Sequence, residues 1–266
     1  MKIEGTLALV TGASQGIGAA LALELSRQGA RTTILLARNG QLLREITDEI
    51  NSFGGKAHYY VTDLSDTRNT FAVLQQIKDE HGVPDIIINN AGIGRFIRIE
   101  ETSPEEARDM IAVPYLAAFD VTRFFIEDML DRQSGQLTFI NSPASVQPWA
   151  SAVTYAASRW AMRGLAKALR ADLYGSKIRV MHVIAGKTTS NYWSNNPGSL
   201  ERMPGIEKMF RQLQPAEVAK AVVNGIRKNR HHLVIPFMLK LTVWVNNVLP
   251  WLIQSLVLAT GLKRKK

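Results

Sequence analysis

A chain of 266 residues, 46% of them hydrophobic, is long enough to bury one large core and short enough to do so as a single α/β domain. It holds no cysteine, which excludes disulfides, a thiolate nucleophile and cysteine-ligated metal, and fits a reducing compartment. Its net charge of +9 arises at the end: no acidic residue follows Glu217, nine lysines and arginines do, and residues 1–217 are neutral, so the domain carries no basic footprint for nucleic acid.

Taken in order, short apolar runs alternate with longer helical patterns. TLALV, from Thr6, reads as a strand entering a glycine-rich turn, which leaves no room for a signal peptide ahead of it and points to the cytoplasm. A helical pattern over 16–29 follows, then RTTILLA and 40–53, KAHYYV and 66–81, DIIIN and 104–132, QLTFIN and 152–175. IRVMHVI, an irregular stretch, a helix over 215–228 and HLVIP complete the series. Such alternation predicts βαβ units, a doubly wound Rossmann fold with a seven-stranded parallel sheet and helices on both faces. The five histidines have no metal-ligand spacing, and no metal is expected.

The chemistry-bearing residues sit where the predicted strands end. Gly12-Ala13-Ser14-Gln15-Gly16-Ile17-Gly18 lies between strand and helix, where glycines let the backbone approach a pyrophosphate at a helix N-terminus. Asp63 and Leu64 follow the third strand, Asn90, Ala91 and Gly92 the fourth, Ser142 the fifth, and Tyr155 with Arg159 shares one face of the next helix. After the sixth strand come Gly186 and Thr188.

This set, in this order, resembles the short-chain dehydrogenase/reductase family: its glycine pattern, its NNAG signature, its serine and its YxxxK motif, over about residues 6–236. The resemblance implies that Gly12, Ser14, Gln15, Gly16, Ile17 and Gly18 hold a dinucleotide pyrophosphate. It further implies that Asp63 and Leu64 meet the adenine, that Asn90, Ala91 and Gly92 flank the adenosine ribose, and that Gly186 and Thr188 lie by the nicotinamide. Ser142 then orients a substrate oxygen, Tyr155 is its acid or base, and two copies pair through their longest helices. The second strand ends in Leu36-Ala37-Arg38-Asn39, with no carboxylate for a ribose 2′-hydroxyl, and Arg38 suits a 2′-phosphate, so the expected cofactor is NADP.

Two positions depart from the family pattern. Arg159 stands where the family has lysine: it supplies a fixed cation beside a phenol and can bind ribose hydroxyls, but it does not release a proton. Pro114 stands where the family has an asparagine that bends the long helix, and proline imposes a bend at a cost of roughly 3 kcal/mol in a regular helix. We therefore expect Pro114 to keep the bend and its free carbonyl for a relay water. The expected function is an NADP(H)-dependent oxidoreductase interconverting a carbonyl and an alcohol, with a catalytically silent NADP sensor or a membrane-surface scaffold as the alternatives.

Phe96, Trp149, Tyr192, Trp193, Met203, Met209 and Phe210 are candidates for an apolar pocket, which implies a lipophilic substrate. A boundary falls at Pro236, giving a dinucleotide domain over 1–236 and an extension over 237–266. The extension is apolar but interrupted by Lys240, Asn246, Asn247, Pro250 and Gln254, and ends Lys263-Arg264-Lys265-Lys266. It reads equally as a peripheral contact with an anionic membrane or as a helix packed on the protein.

Overall fold

The computed structural model describes residues 1–189 and 192–264, with backbone alone at 194 and 195. Seven strands form one sheet: β1 (Leu7–Thr11), β2 (Thr32–Ala37), β3 (Ala57–Val61), β4 (Ile86–Asn89), β5 (Gly135–Asn141), β6 (Ile178–Ala185) and β7 (His232–Ile235). Their order is β3-β2-β1-β4-β5-β6-β7 and every pairing is parallel. β1, β2, β4 and β5 are buried throughout, as continuous apolar strands covered on both faces must be.

Among the described residues, ten helices accompany them: α1 (Gly16–Arg27), α2 (Gly40–Ser52), α3 (Thr67–His81), α4 (Pro104–Ile111), α5 (Ala117–Asp131), α6 (Val153–Asp172), α7 (Tyr192–Asn195), α8 (Pro215–Arg227), α9 (Phe237–Val248) and α10 (Pro250–Thr260). Leu21 and Leu25 of α1, Leu43 of α2 and Val222 of α8 pack with Val10, Leu35 and Val183 on one face of the sheet. Leu74 of α3, Phe125 of α5 and Met162 of α6 pack with Leu9, Ile34 and Phe139 on the other. β1 pairs β2 through Leu7↔Thr32 and β4 through Ala8↔Ile86. The winding reverses between β1 and β4, and the crevice outside their carboxyl ends is where this topology places ligands.

The long helix expected over 104–132 is interrupted. Residues Ala112–Leu116 form a π-helical turn between α4 and α5, closed by the Ala117 N–H on the Ala112 carbonyl. Pro114, buried inside it, has no N–H to donate and its ring would strike the carbonyl four residues back in a regular helix; a wider turn removes both conflicts.

The extension after Pro236 is helical and folded back. α9 packs against β7 and α10 against a 3₁₀ turn, Gly205–Met209. Leu239 and Val243 join Val146 and Ile184 in a core of their own. Among the described residues no single helix is long and apolar enough to cross a membrane; α9 and α10 reach that length only together, bent by 120° at Leu249 and Pro250.

Candidate active site

One cavity of about 990 Å³ runs along the carboxyl ends of the strands, roomy for a small-molecule site. The structure brings to its wall Gly12, Ser14, Gln15, Gly16, Ile17, Arg38, Asp63, Leu64, Asn90, Ala91, Gly92, Ser142, Tyr155, Arg159, Gly186 and Thr188. Of the cofactor and catalytic residues singled out in the sequence, Gly18 and Pro114 do not line it: Gly18 is buried in the first turn of α1, and Pro114 is buried next to Val113, which does reach the cavity.

The glycine turn is shaped by its own backbone. Gly12 and Gly16 have φ of +63° and +59°, a region glycine enters without steric cost. At Gly18 a Cβ would lie 2.1 Å from the Gly12 carbonyl oxygen and 2.6 Å from Asn90 Nδ2. Asn90 braces the same loop, its Nδ2 donating to the carbonyls of Thr11 and Gly12 at 3.0 and 3.2 Å, while Thr11 Oγ1 accepts from the amides of Asn90 and Ala91 at 3.0 Å each. Gly18→Ala is therefore expected to cost about 2–4 kcal/mol through backbone displacement and to abolish dinucleotide binding, measured by thermal melts with and without NADPH.

Toward the second and third strands, Asn39 caps α2 by accepting from the Leu42 amide at 3.0 Å, which leaves Arg38 projecting from the turn with its side chain 64% exposed. The Arg38 guanidinium stands 3.9 Å from Asp63. Burial works against the Asp63 carboxylate, but hydrogen bonds from Ser65 and the nearby Arg38 cation outweigh it and hold its pKa below the usual carboxylate value.

Tyr155 lies in the first turn of α6 and Arg159 one turn later, both 7% exposed. The guanidinium stacks over the phenol ring, 4.8 Å from its centroid, a cation–π contact strengthened by burial. It packs so closely on Gly92 that a Cβ there would fall 2.6 Å from Nη2. Arg159 Nε is buried with no hydrogen-bond partner among the described residues. Ser142 caps a short turn, Pro143–Ser145, its Oγ accepting from the Ala144 amide at 3.3 Å.

A buried network that sequence reasoning missed fixes the backbone of α6. Asn141 Nδ2 donates to the Arg159 carbonyl at 3.0 Å and meets His182 Nε2 at 3.0 Å. Burial, followed by the positive surroundings of His232, Arg163 and Lys167, pushes His182 down to about 3, so its ring is the neutral acceptor this arrangement needs. The partners lie on β5, α6 and β6, and no local spacing in the sequence announces them.

Much of the rest of the wall is apolar. Phe96 meets Tyr155, Trp149 and Trp193 edge-on at ring distances of 5.0, 5.1 and 6.2 Å. Tyr192 donates its hydroxyl to the Gly94 carbonyl at 2.5 Å, and burial, then the neighbouring Tyr155, raise its pKa well above the ordinary phenol value. Met203 and Phe210 line the cavity as expected, whereas Met209 does not: it is 64% exposed, turned outward by its short 3₁₀ turn. Lys187 and Glu207, both cavity-lining, neutralise each other at 3.2 Å. The extension supplies a wall that the sequence did not announce, with Leu239, Val243, Asn246, Ile253 and Val257 facing the cavity. Ser190, Lys265 and Lys266 lie outside the described residues.

These residues fit a dinucleotide: the glycine turn before α1 lines the cavity, Cβ atoms at Gly12, Gly18 and Gly92 would strike the atoms that shape this wall, and the buried Arg159 Nε has no hydrogen-bond partner among the described residues. Fold and site are those of a nucleotide-binding α/β protein built to face a small molecule. A family model described as short chain dehydrogenase matches residues 6–198, and the chain belongs to that family.

Among its relatives is "Probable oxidoreductase EphD" of Mycobacterium tuberculosis, 32% identical over 237 residues, covering 85% of this chain and 40% of the relative. The chain thus spans less than half the length of that relative. Among solved structures, a metagenomic short-chain oxidoreductase in complex with NADP is 30% identical with a TM-score of 0.73, covering 88% of this chain and 98% of the other. An alcohol dehydrogenase from Thermococcus sibiricus complexed with 5-hydroxy-NADP is 25% identical with a TM-score of 0.75, covering 86% and 95%.

Proposed function

We propose that the chain is an NADP(H)-dependent oxidoreductase that interconverts a carbonyl and an alcohol on a lipophilic small molecule. The observation that carries this reading is that Ser142, Tyr155 and Arg159 open onto one cavity that Phe96, Trp149, Trp193, Met203, Leu239 and Val243 also line. A bound dinucleotide supplies the hydride. Tyr155 donates its hydroxyl proton to the carbonyl oxygen, and Ser142 holds that oxygen by a hydrogen bond. Arg159 anchors the ribose and stays protonated, so the proton lost by Tyr155 is replaced from solvent rather than from the guanidinium. Pro114 acts at one remove, keeping the π turn open so that its carbonyl can hold a water on that path.

Arg38 favours NADP because a guanidinium donates two parallel hydrogen bonds to a 2′-phosphate; the NADP and 5-hydroxy-NADP in the two related structures support the same choice. In this reading residues 1–236 form the dinucleotide domain, and the 237–266 extension rests on the cytoplasmic face of an anionic membrane. Exposed Leu116, Phe119, Val153 and Trp160, on or beside α5 and α6, provide an apolar face for pairing of two copies.

The test is NADPH consumption by purified protein over a panel of apolar ketones and aldehydes. Turnover is expected, with Arg38→Asp raising the KM for NADPH about 10- to 100-fold, the value of one or two charge-assisted hydrogen bonds, while the KM for NADH changes little. NADPH binding without turnover across the panel would instead identify a non-catalytic dinucleotide sensor.

A further inference from the structure

The two tail helices are apolar on both sides. Leu239 and Val243 of α9 and Ile253 and Val257 of α10 are buried against the cavity. On the opposite faces, at helical spacing, Phe237, Leu241, Trp244 and Val248 of α9 and Trp251 and Leu258 of α10 are exposed, the two tryptophans at 62% and 63%. A surface helix in water carries a polar outer face, and an apolar face of this extent marks a docking surface. Its charge selects the occupant: the chain after Glu217 holds cations and no acid, and paired tryptophans with lysine and arginine at the margins suit an anionic lipid surface.

The cavity approaches this surface at the bend. Asn246 and Ile253, which line it, lie within one turn on either side of the break at Leu249 and Pro250. α9 is anchored through the Leu239 and Val243 core. α10 is held differently: beyond Ile253 and Val257 it is tied at its end by exposed polar contacts, the Ile206 amide on Thr260 Oγ1 at 3.2 Å, Arg98 on the Lys263 carbonyl at 3.1 Å and Arg264 with Glu100 at 3.0 Å. Exposed contacts of this kind hold weakly. Among the described residues Asn246 Oδ1 is buried without a hydrogen-bond partner, a cost carried at the cavity wall beside the break.

We propose that the seam between α10 and the Gly205–Met209 turn faces the lipid bilayer, and that lipophilic substrate passes from the bilayer into the cavity as α10 swings about the Leu249–Pro250 break. This rests on the reading of a lipophilic substrate and a membrane-docked tail. It explains why one pair of helices is apolar toward both the cavity and the outside: each face meets a hydrocarbon phase.

A disulfide tests it. A Cβ at Gly205 would stand 3.3 Å from Thr260 Cβ, close to the spacing of a disulfide, and the chain has no other cysteine to mispair. Full-length Gly205→Cys/Thr260→Cys, its bond confirmed by mass, is mixed with vesicles of phosphatidylglycerol and phosphatidylcholine holding benzophenone, irradiated within seconds, and the crosslinks are mapped. The parent and the reduced variant are expected to crosslink both at the outer tail face and at cavity residues such as Met203. The oxidised variant is expected to keep the outer crosslinks and lose cavity crosslinks at least 10-fold, with recovery on reduction. Cavity labelling unchanged by the disulfide overturns the portal while leaving the docking reading intact. A parent that neither sediments with the vesicles nor crosslinks at the outer face, for instance because that face pairs with a second copy, overturns both. Should the cysteine pair fail to fold, Trp251→Asp/Leu258→Asp answers the same question: it is expected to lose cavity labelling from vesicles but keep labelling by benzophenone supplied in solution, and retained labelling from vesicles overturns the portal.

Discussion

Tyr155→Phe is expected to lower kcat on any substrate of the panel by about 10²- to 10⁴-fold, the range for loss of a positioned general acid, with the NADPH dissociation constant unchanged. The substitution removes one oxygen and keeps the ring, so the edge-on contact with Phe96, the Trp149 contact at 6.5 Å and the stacked Arg159 all survive. A structural tyrosine would give the opposite pattern, little loss of rate and some loss of stability. Tyr192 provides the internal control, because it is a second phenol in the same cavity. Its hydroxyl is committed to the Gly94 carbonyl and burial keeps it protonated, so it is unable to take over the proton transfer. Tyr192→Phe is therefore expected to retain turnover within about 10-fold, consistent with one lost hydrogen bond. Steady-state rates with both variants and thermal melts of each decide the matter; an active Tyr155→Phe enzyme would remove the proposed mechanism.

The parts of this molecule that were legible in the sequence are those set by local chemistry. The strands announced themselves as uninterrupted apolar runs because both faces of a parallel sheet are covered. The glycines before α1 were legible because the turn has no room for side chains. Pro114 marked a break in the long helix, although only the structure shows that the chain answers with a π turn. What stayed hidden was non-local or symmetric. The Lys187–Glu207 pair and the Asn141–His182 contact join residues from separate elements, and no spacing rule finds them. The tail hid for another reason: with apolar residues on both faces, its pattern could not say which side packs and which side is left exposed. Its inner face, Leu239, Val243 and Asn246, follows helical spacing, but so does its outer face, Phe237, Leu241, Trp244 and Val248.

Arg159 is expected to show its role through Gly92. Arg159→Ala deletes a buried cation whose Nε has no hydrogen-bond partner among the described residues and should raise the NADPH dissociation constant about 10- to 100-fold, the value of charge-assisted hydrogen bonds; Arg159→Lys should recover most of that affinity. Gly92→Ala alone should be as damaging as Arg159→Ala, since its methyl would stand 2.6 Å from Nη2 and 3.2 Å from Nη1 and would push the guanidinium off the Tyr155 ring. The ammonium of lysine is narrower, so Gly92→Ala in an Arg159→Lys background should cost much less than it does beside arginine. The two effects are then non-additive by about 1–2 kcal/mol, the size expected for side chains in contact. NADPH titrations of the four proteins in this double-mutant cycle read the coupling directly. Additive losses would mean that Gly92 serves only the backbone of its loop. A clear coupling would show that the absence of a side chain at 92 is what lets an arginine occupy a position where the family carries lysine, with its charge held against the face of Tyr155.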